Sequence, residues 1–272
     1  MQTTPAFVEL LGLLDLEAID RDIFRARHPA ARERRLYGGQ IMAQALMAAA
    51  RTVDAARSPH SLHGYFLRAG DPSHPVIIDV ERIRDGGSFT TRRVVAIQHG
   101  RAIFNMDVSF QKSEPGLTHQ TKMPEGLVPP TEDMVPNELK EGTFRSFRLD
   151  YRRLTSETPQ PPEQVIWFHA NGLIPDDPIL HTCLIVFESD NALLGTARLP
   201  HRGKFKREDM QMASLDHAMW FHHPARADEW LLYALDSPSS SCARGYNRGQ
   251  IFTAAGQLVA STMQEGLMRH HG

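Results

Sequence analysis

Cysteine is almost missing: Cys183 and Cys242 are the only two among 272 residues. Two thiols outside any C-x-x-C pair cannot build a disulfide framework, which points to a reducing, cytoplasmic compartment. An imbalance of charge is missing too. Thirty Lys and Arg stand against 32 Asp and Glu, so there is no electrostatic footprint for a nucleic-acid backbone. Long apolar runs are lacking: IMAQALMAAA (41–50) is far too short to cross a bilayer. The apolar N-terminus MQTTPAFVELLGLLDLEAID has neither the basic lead nor the small-residue cleavage site of an export signal. No G-x-S-x-G elbow occurs, which removes the context for covalent serine catalysis, and no glycine-rich phosphate loop follows a strand. The expectation is a soluble protein with no membrane insertion and no nucleic-acid partner.

What is present is apolar material in two ordered sets. With 41% hydrophobic residues, the chain can bury one large core or two smaller ones. Phe7, Leu10, Leu11 and Leu14 recur with the period of a helix packed on one face. Residues 113–163 hold eight of the 18 prolines and little apolar periodicity, as a linker does. Before them, a strand over 22–27 leads into YGGQIMAQALMAAARTV (37–53), apolar almost all round and so a buried helix. Strand-like runs follow over 61–70, 75–86, 88–100 and 101–111. After the linker, VIWFHAN (165–171) leads into PDDPILHTCLIVFESDNALL (175–194), a helix that Asp177 can cap and Pro178 can open. Four more runs cover 212–222, 229–239, 241–254 and 256–268. The predicted fold class is α+β and the plan is made twice: an N-terminal unit over 1–112, a proline-rich linker and lead-in over 113–163, and a C-terminal unit over 164–272. Each unit is expected to wrap a curved antiparallel sheet round one apolar helix.

Several polar residues fall where apolar ones belong. Cys183, Phe187, Asp190 and Leu194 share one stripe of the second helix, which puts a carboxylate on a buried face. Burial raises its pKa and strengthens it as a base; the alternative is a helix that ends near Phe187, with Asp190 as an exposed cap. Gln264 alternates with Leu258, Ala260 and Thr262 on the inner side of the last strand, where its amide both donates and accepts. Ser214 shares a face with Met212 and Asp216 in the run MASLDHAMWFHHP (212–224), and by spacing alone is a strand-end residue. His217 and His222, five apart, match no metal-ligand spacing, and Pro224 follows His223 directly. No metal and no cofactor are expected. His60 and His63, in PHSLHGYF, are the better-placed general-base candidates among the histidines.

The runs YGGQIMAQAL, YFLRAGD, RIRDGGSFTTRRVVAIQHG, SLDHAMWFHHP, EWLLYALDSPSSSCARG and LVASTMQEGLMR, taken in order over almost the whole chain, resemble the acyl-CoA thioesterase II family. The resemblance implies a double hotdog, two fused units each with a sheet around a helix. It also implies hydrolysis of acyl-CoA to a free fatty acid and CoA by a water activated without metal. Carried over residue by residue, the family's aspartate falls on Asp190, its hydroxyl residue on Ser214 and its glutamine on Gln264. The hydroxyl is Ser here where relatives commonly have Thr, so a methyl that would restrict the side chain is lost.

On this reading the substrate is medium- to long-chain acyl-CoA, with Asp190 as general base. The Gly38-Gly39 turn or a backbone amide of the second half is the expected oxyanion donor. Arg244, Arg248 and Arg269 are candidates to meet the CoA phosphates. Open sheet edges imply at least a dimer, and the ending MRHHG, without the S-K-L address, favours a bacterial-type cytoplasmic enzyme. Two other readings stay open: an enoyl-CoA hydratase or dehydratase using His63 or His217, and a non-catalytic acyl-CoA binding module.

Overall fold

A computed structural model of the chain describes residues 4–28, 35–131, 133–134, 142–148 and 158–271. Helix α1 (Pro5–Leu14) starts where sequence chemistry sets it: the Thr4 hydroxyl accepts from the Phe7 N–H and Pro5 occupies the first turn. Its buried residues are Phe7, Leu10 and Leu14, three of the four that carry the helical period. Strands β1 (Glu17–Asp20) and β2 (Ile23–Ala26) then lead to α2 (Gly38–Ala50). Helix α2 is the buried helix expected from its composition. Ile41, Met42, Leu46 and Met47 are enclosed, buried Gln44 donates to Leu13 O, and glycine or alanine at most other positions lets its backbone approach its neighbours. Each large side chain so enclosed contributes about 1.5–3 kcal/mol. Strands β3 (Arg57–Phe66), β4 (Val76–Asp85), β5 (Phe89–Gln98) and β6 (Arg101–Lys112) complete the first set.

The second set repeats the order. Strands β7 (Phe144–Arg148) and β8 (Glu163–Ala170) precede α3 (Pro178–Ser189) and the short α4 (Leu193–Arg198). Strands β9 (Met210–Ser214), β10 (Asp216–Phe221), β11 (Leu231–Ser241), β12 (Arg244–Thr253) and β13 (Leu258–His270) follow. In space the first set runs β2-β4-β5-β6-β3 and the second β8-β11-β12-β13-β10, so the same permutation occurs twice. The two join where β3 pairs antiparallel with β10, from Tyr65 opposite Asp216 to Ser61 opposite Trp220. One continuous antiparallel sheet results, with α2 and α3 in contact with each other, and this is the double hotdog that the resemblance implies. The inner edges that would have invited a partner therefore cover each other. The path ends at β1 and β7, both short, as exposed edges usually are.

Three local features depart from the sequence reading. Strand β7 lies inside the segment read as linker and pairs with β8. Earlier in that segment Met123 and Leu127 pack on a cluster of Trp167, Leu232, Phe252 and Leu258, while the Gln120 amide bonds Gly256 O and Leu258 N. These prolines accompany a strap across the sheet. The helix expected over 175–194 is broken: α3 stops at Ser189, Asp190 is its C-cap, and Leu194 belongs to α4. The Ser-Asp-Asn run explains the break, because such side chains compete for the backbone. The Ser189 hydroxyl donates to Val186 O, and the Asn191 amide reaches Glu188 Oε1. Finally, the run 212–222 is two strands, not one. Ser214 pairs with Gly266 but Ala218 with Met263, a one-residue bulge at Leu215.

Candidate active site

The bulge decides which side chains meet. In an unbroken strand Ser214 and His217 would face opposite sides. With one extra residue at Leu215 both turn inward, while Asp216 turns outward to His63, whose Nε2 lies 3.1 Å from Asp216 Oδ2. The expected sharing of a face by Ser214 and Asp216 is thus overturned. On β13 the alternation holds as read, with Ala260, Thr262 and Gln264 buried and Met263 exposed.

Asp190, Ser214 and Gln264 come together. The Gln264 Nε2 donates to Asp190 Oδ1 at 2.6 Å, and the Ser214 hydroxyl donates to the same oxygen over a longer 3.4 Å. The other carboxylate oxygen, Oδ2, accepts the Gly39 N–H at 3.0 Å. Gly39 stands in the first turn of α2, whose N-cap residue Tyr37 supplies no side-chain cap. Asp190 therefore caps α2 from the other half of the chain, at the positive end of that helix dipole. The Tyr37 hydroxyl donates to Phe187 O at 3.0 Å, fastening the two helix ends together. Both glycines are needed for the approach: a Cβ on Gly38 would lie 2.6 Å from Asp190 Oδ2, and one on Gly39 would lie 2.1 Å from Phe187 O.

The electrostatics suit a base. Burial pushes the Asp190 carboxyl above its ordinary range, against the opposing pull of Gln264, Gly39, Ser214 and Arg35. Its side chain is only 6% exposed, so it is no exposed cap. Gln264 is fully enclosed, and its Oε1 has no hydrogen-bond partner among the described residues. A buried orphan acceptor beside a carboxylate is a place for a donor such as water.

His217, which the sequence offers only for the hydratase reading, joins this group beside Gln264. Its ring is completely buried, Nδ1 lies 3.1 Å from Gln264 Nε2, and Nε2 lies 3.1 Å from Ser189 Oγ. Burial pushes its pKa down to about 3, so the ring is neutral. No spacing rule could have found it, because the bulge that turns it inward has no local signature.

Other expectations fail here. The Gly39 amide is committed to Asp190 and cannot also serve an oxyanion. Arg244 and Arg248 pair with Glu265 and Asp236. They face the side of β12 opposite to Asn247, the residue paired with Gln264. Arg269 donates to Gln211 Oε1. His60 is bonded to Ser109, and His222 to Ser261. Trp220, in the same run, is 39% exposed. A cavity of about 850 Å³ lined by Leu127, Val165, Ala234, Asp236, Arg248 and Met263 contains none of the three candidates. Asp71, His74 and His99 form a surface cluster with ligand atoms within 4.8 Å of one another. Asp71 is already engaged by His74 and by the Ser73 N–H, and Gln98 ties the adjoining backbone.

Residues 145–267 match the acyl-CoA thioesterase family model, and residues 26–111 match the acyl-CoA thioesterase N-terminal domain. Acyl-coenzyme A thioesterase 8 of Mus musculus is 42% identical, over 96% of this chain and 89% of that one. Acyl-CoA thioesterase 2 of Haemophilus influenzae is 39% identical over 96% of both chains. The crystal structure of the acyl-CoA thioesterase II TesB2 from Mycobacterium marinum superposes with a TM-score of 0.84 at 45% identity, covering 97% of this chain and 99% of that one. The duplicated sheet, the two family-model matches and these near full-length identities make the chain a member of the acyl-CoA thioesterase II family.

Proposed function

We propose that the chain hydrolyses medium- to long-chain acyl-CoA with a water that Asp190 deprotonates and that Gln264 and Ser214 help to hold. Family membership makes the chain an acyl-CoA thioester hydrolase. The observation that supports the assignment of the chemistry is the convergence of two polar side chains, Ser214 from β9 and Gln264 from β13, on one buried carboxylate at the end of α3.

A water donating one hydrogen to Asp190 and the other to the unpartnered Gln264 Oε1 keeps a lone pair free for the thioester carbonyl carbon. As the C–O bond forms, its proton passes to Asp190. The tetrahedral intermediate collapses with loss of the C–S bond, and the proton moves on to the departing sulfur, giving carboxylic acid and thiol. A thiolate leaves readily, so no second strong acid is required.

In this reading the two hotdog units span 1–112 and 164–272, with β7 and Glu163 of β8 added to the second from the lead-in. The cytoplasm is the assigned compartment, supported by two unpaired thiols. Assembly to at least a dimer is supported by Tyr65, Trp220 and Met263, exposed on one face of the seam, and sedimentation velocity tests it. The decisive test is thiol release from acyl-CoA of graded chain length by wild type and Asp190→Asn. The reading requires release by the wild type, fastest with the longer chains, and near-complete loss in the variant. Full turnover by a folded Asp190→Asn enzyme would sink the site. Hydration of an enoyl-CoA without thiol release would replace it with hydratase chemistry.

A further inference from the structure

Gln264 must present its amide one way round for the proposed chemistry, with nitrogen toward Asp190 and oxygen toward the water. Ionised Asp190 favours this orientation but satisfies only one amide hydrogen, and its protonated form could donate to the amide oxygen instead; the second hydrogen of Gln264 Nε2 needs an acceptor of its own. His217 Nδ1 stands 3.1 Å from that nitrogen. Whether Nδ1 accepts is settled at the other ring nitrogen. The Ser189 hydroxyl donates to Val186 O at 2.8 Å, so its lone pairs face His217 Nε2, 3.1 Å away. The ring therefore carries its hydrogen on Nε2 and offers a lone pair at Nδ1. Ser189 is itself held, since the Tyr233 hydroxyl donates to its carbonyl and accepts from the Thr262 hydroxyl. Asp190 from α3, and Asp216 with His63 from β10 and β3, are the charged or titratable groups nearest the ring.

We infer that His217 is a positioning residue, a neutral Nε2–H imidazole whose Nδ1 locks the Gln264 amide with its nitrogen on Asp190 and its oxygen free for the attacking water. This rests on the site assignment made above. A protonated ring would set two donors against each other and turn the amide round, leaving two oxygens facing each other at Asp190.

The test compares His217→Leu, which removes the acceptor, with His217→Asn, whose Oδ1 falls near the Nδ1 position. Thiol release by the leucine variant should lose about 10- to 100-fold in kcat with KM little changed, and asparagine should restore most of the loss. In a Gln264→Ala background the leucine change should cost nothing further in kcat. A folded His217→Leu enzyme with wild-type kcat overturns the inference, as does an asparagine variant no better than leucine, or full additivity with Gln264→Ala. Should the leucine variant not fold, the ¹⁵N shifts of His217 in the wild type decide: a neutral Nε2–H signature supports the inference, and a protonated or Nδ1–H ring overturns it. Asp190→Asn separates the two readings. If it stays active, the site assignment itself falls; if it is inactive while His217→Leu keeps wild-type kcat, this inference alone falls.

Discussion

Gly39 and Asp190 belong to different halves of the chain, yet the Gly39 N–H donates to Asp190 Oδ2 at 3.0 Å. The helix start of one hotdog is capped by the carboxylate that ends the helix of the other. The candidate base is thus aimed only when the two halves are assembled, and each half tunes the other.

Alanine at the two glycines should separate aim from packing. A Cβ at Gly38 meets the Asp190 oxygen itself, while one at Gly39 meets backbone that cannot give way. Gly38→Ala should lower kcat about 10- to 100-fold by moving the carboxylate. Gly39→Ala should also lose about 1–3 kcal/mol of stability. Thiol-release kinetics beside thermal melts read both; unchanged values would show that the contact is dispensable.

Gln264→Glu keeps the shape of the side chain but sets a second carboxyl against Asp190, where two negative charges cannot coexist. The acid limb of kcat/KM should move to higher pH and turnover should fall. A pH profile superimposable on that of the wild type would contradict the 2.6 Å contact.

Ser214 makes the longest of the three contacts to Asp190, at 3.4 Å. Ser214→Ala should therefore be the mildest change, about 1 kcal/mol or roughly fivefold in kcat. Ser214→Thr should retain activity, because it keeps the hydroxyl and narrows its rotamers. A loss with alanine as large as that with Gln264→Ala would mean that the hydroxyl carries more of the water's positioning than its distance indicates.

Two buried groups give stability opposite pH slopes. Burial raises the Asp190 pKa, so the folded state holds that proton more tightly. Its contribution is present at low pH and is lost as pH rises through the raised value. Asp190→Asn should therefore melt at the same temperature or a few degrees higher at neutral pH. His217 is pushed down to about 3 from an ordinary 6.5, so the unfolded chain binds its proton first. Stability from this neutral ring is present above 6.5 and is lost as pH falls, by up to about 1.4 kcal/mol per pH unit. The difference in melting temperature against pH between Asp190→Asn and Asp190→Asn with His217→Leu isolates that slope from the other buried histidines, such as His28 and His181, and identical acid limbs would count against a buried neutral His217.

Much of the scaffold is legible in the linear chain because its signals are local. Thr4 and Asp177 cap the helices that Pro5 and Pro178 open. The all-round apolar run 41–50 is the buried helix, and alternation on β13 puts Gln264 inside. The duplicated order of elements along the chain is legible too, but their order in space is not, since β3 lies beside β6 and β10 rather than beside β4. Residue resemblance singled out Asp190, Ser214 and Gln264, which composition and period could not have ranked above structural polar residues.

What only the tertiary structure decided is non-local. The break at Ser189 makes Asp190 a helix end, and Gly39 at the α2 terminus it caps lies 151 positions away in the chain. The bulge at Leu215 arises from pairing against β13 and β3, and it turns both Ser214 and His217 toward the carboxylate. Strand β7 exists because β8 offers it an edge. Sequence determined which side chains could be acid, amide and hydroxyl. Register and burial, which depend on partners distant in the chain, decided where those side chains point and how strongly the carboxylate binds its proton.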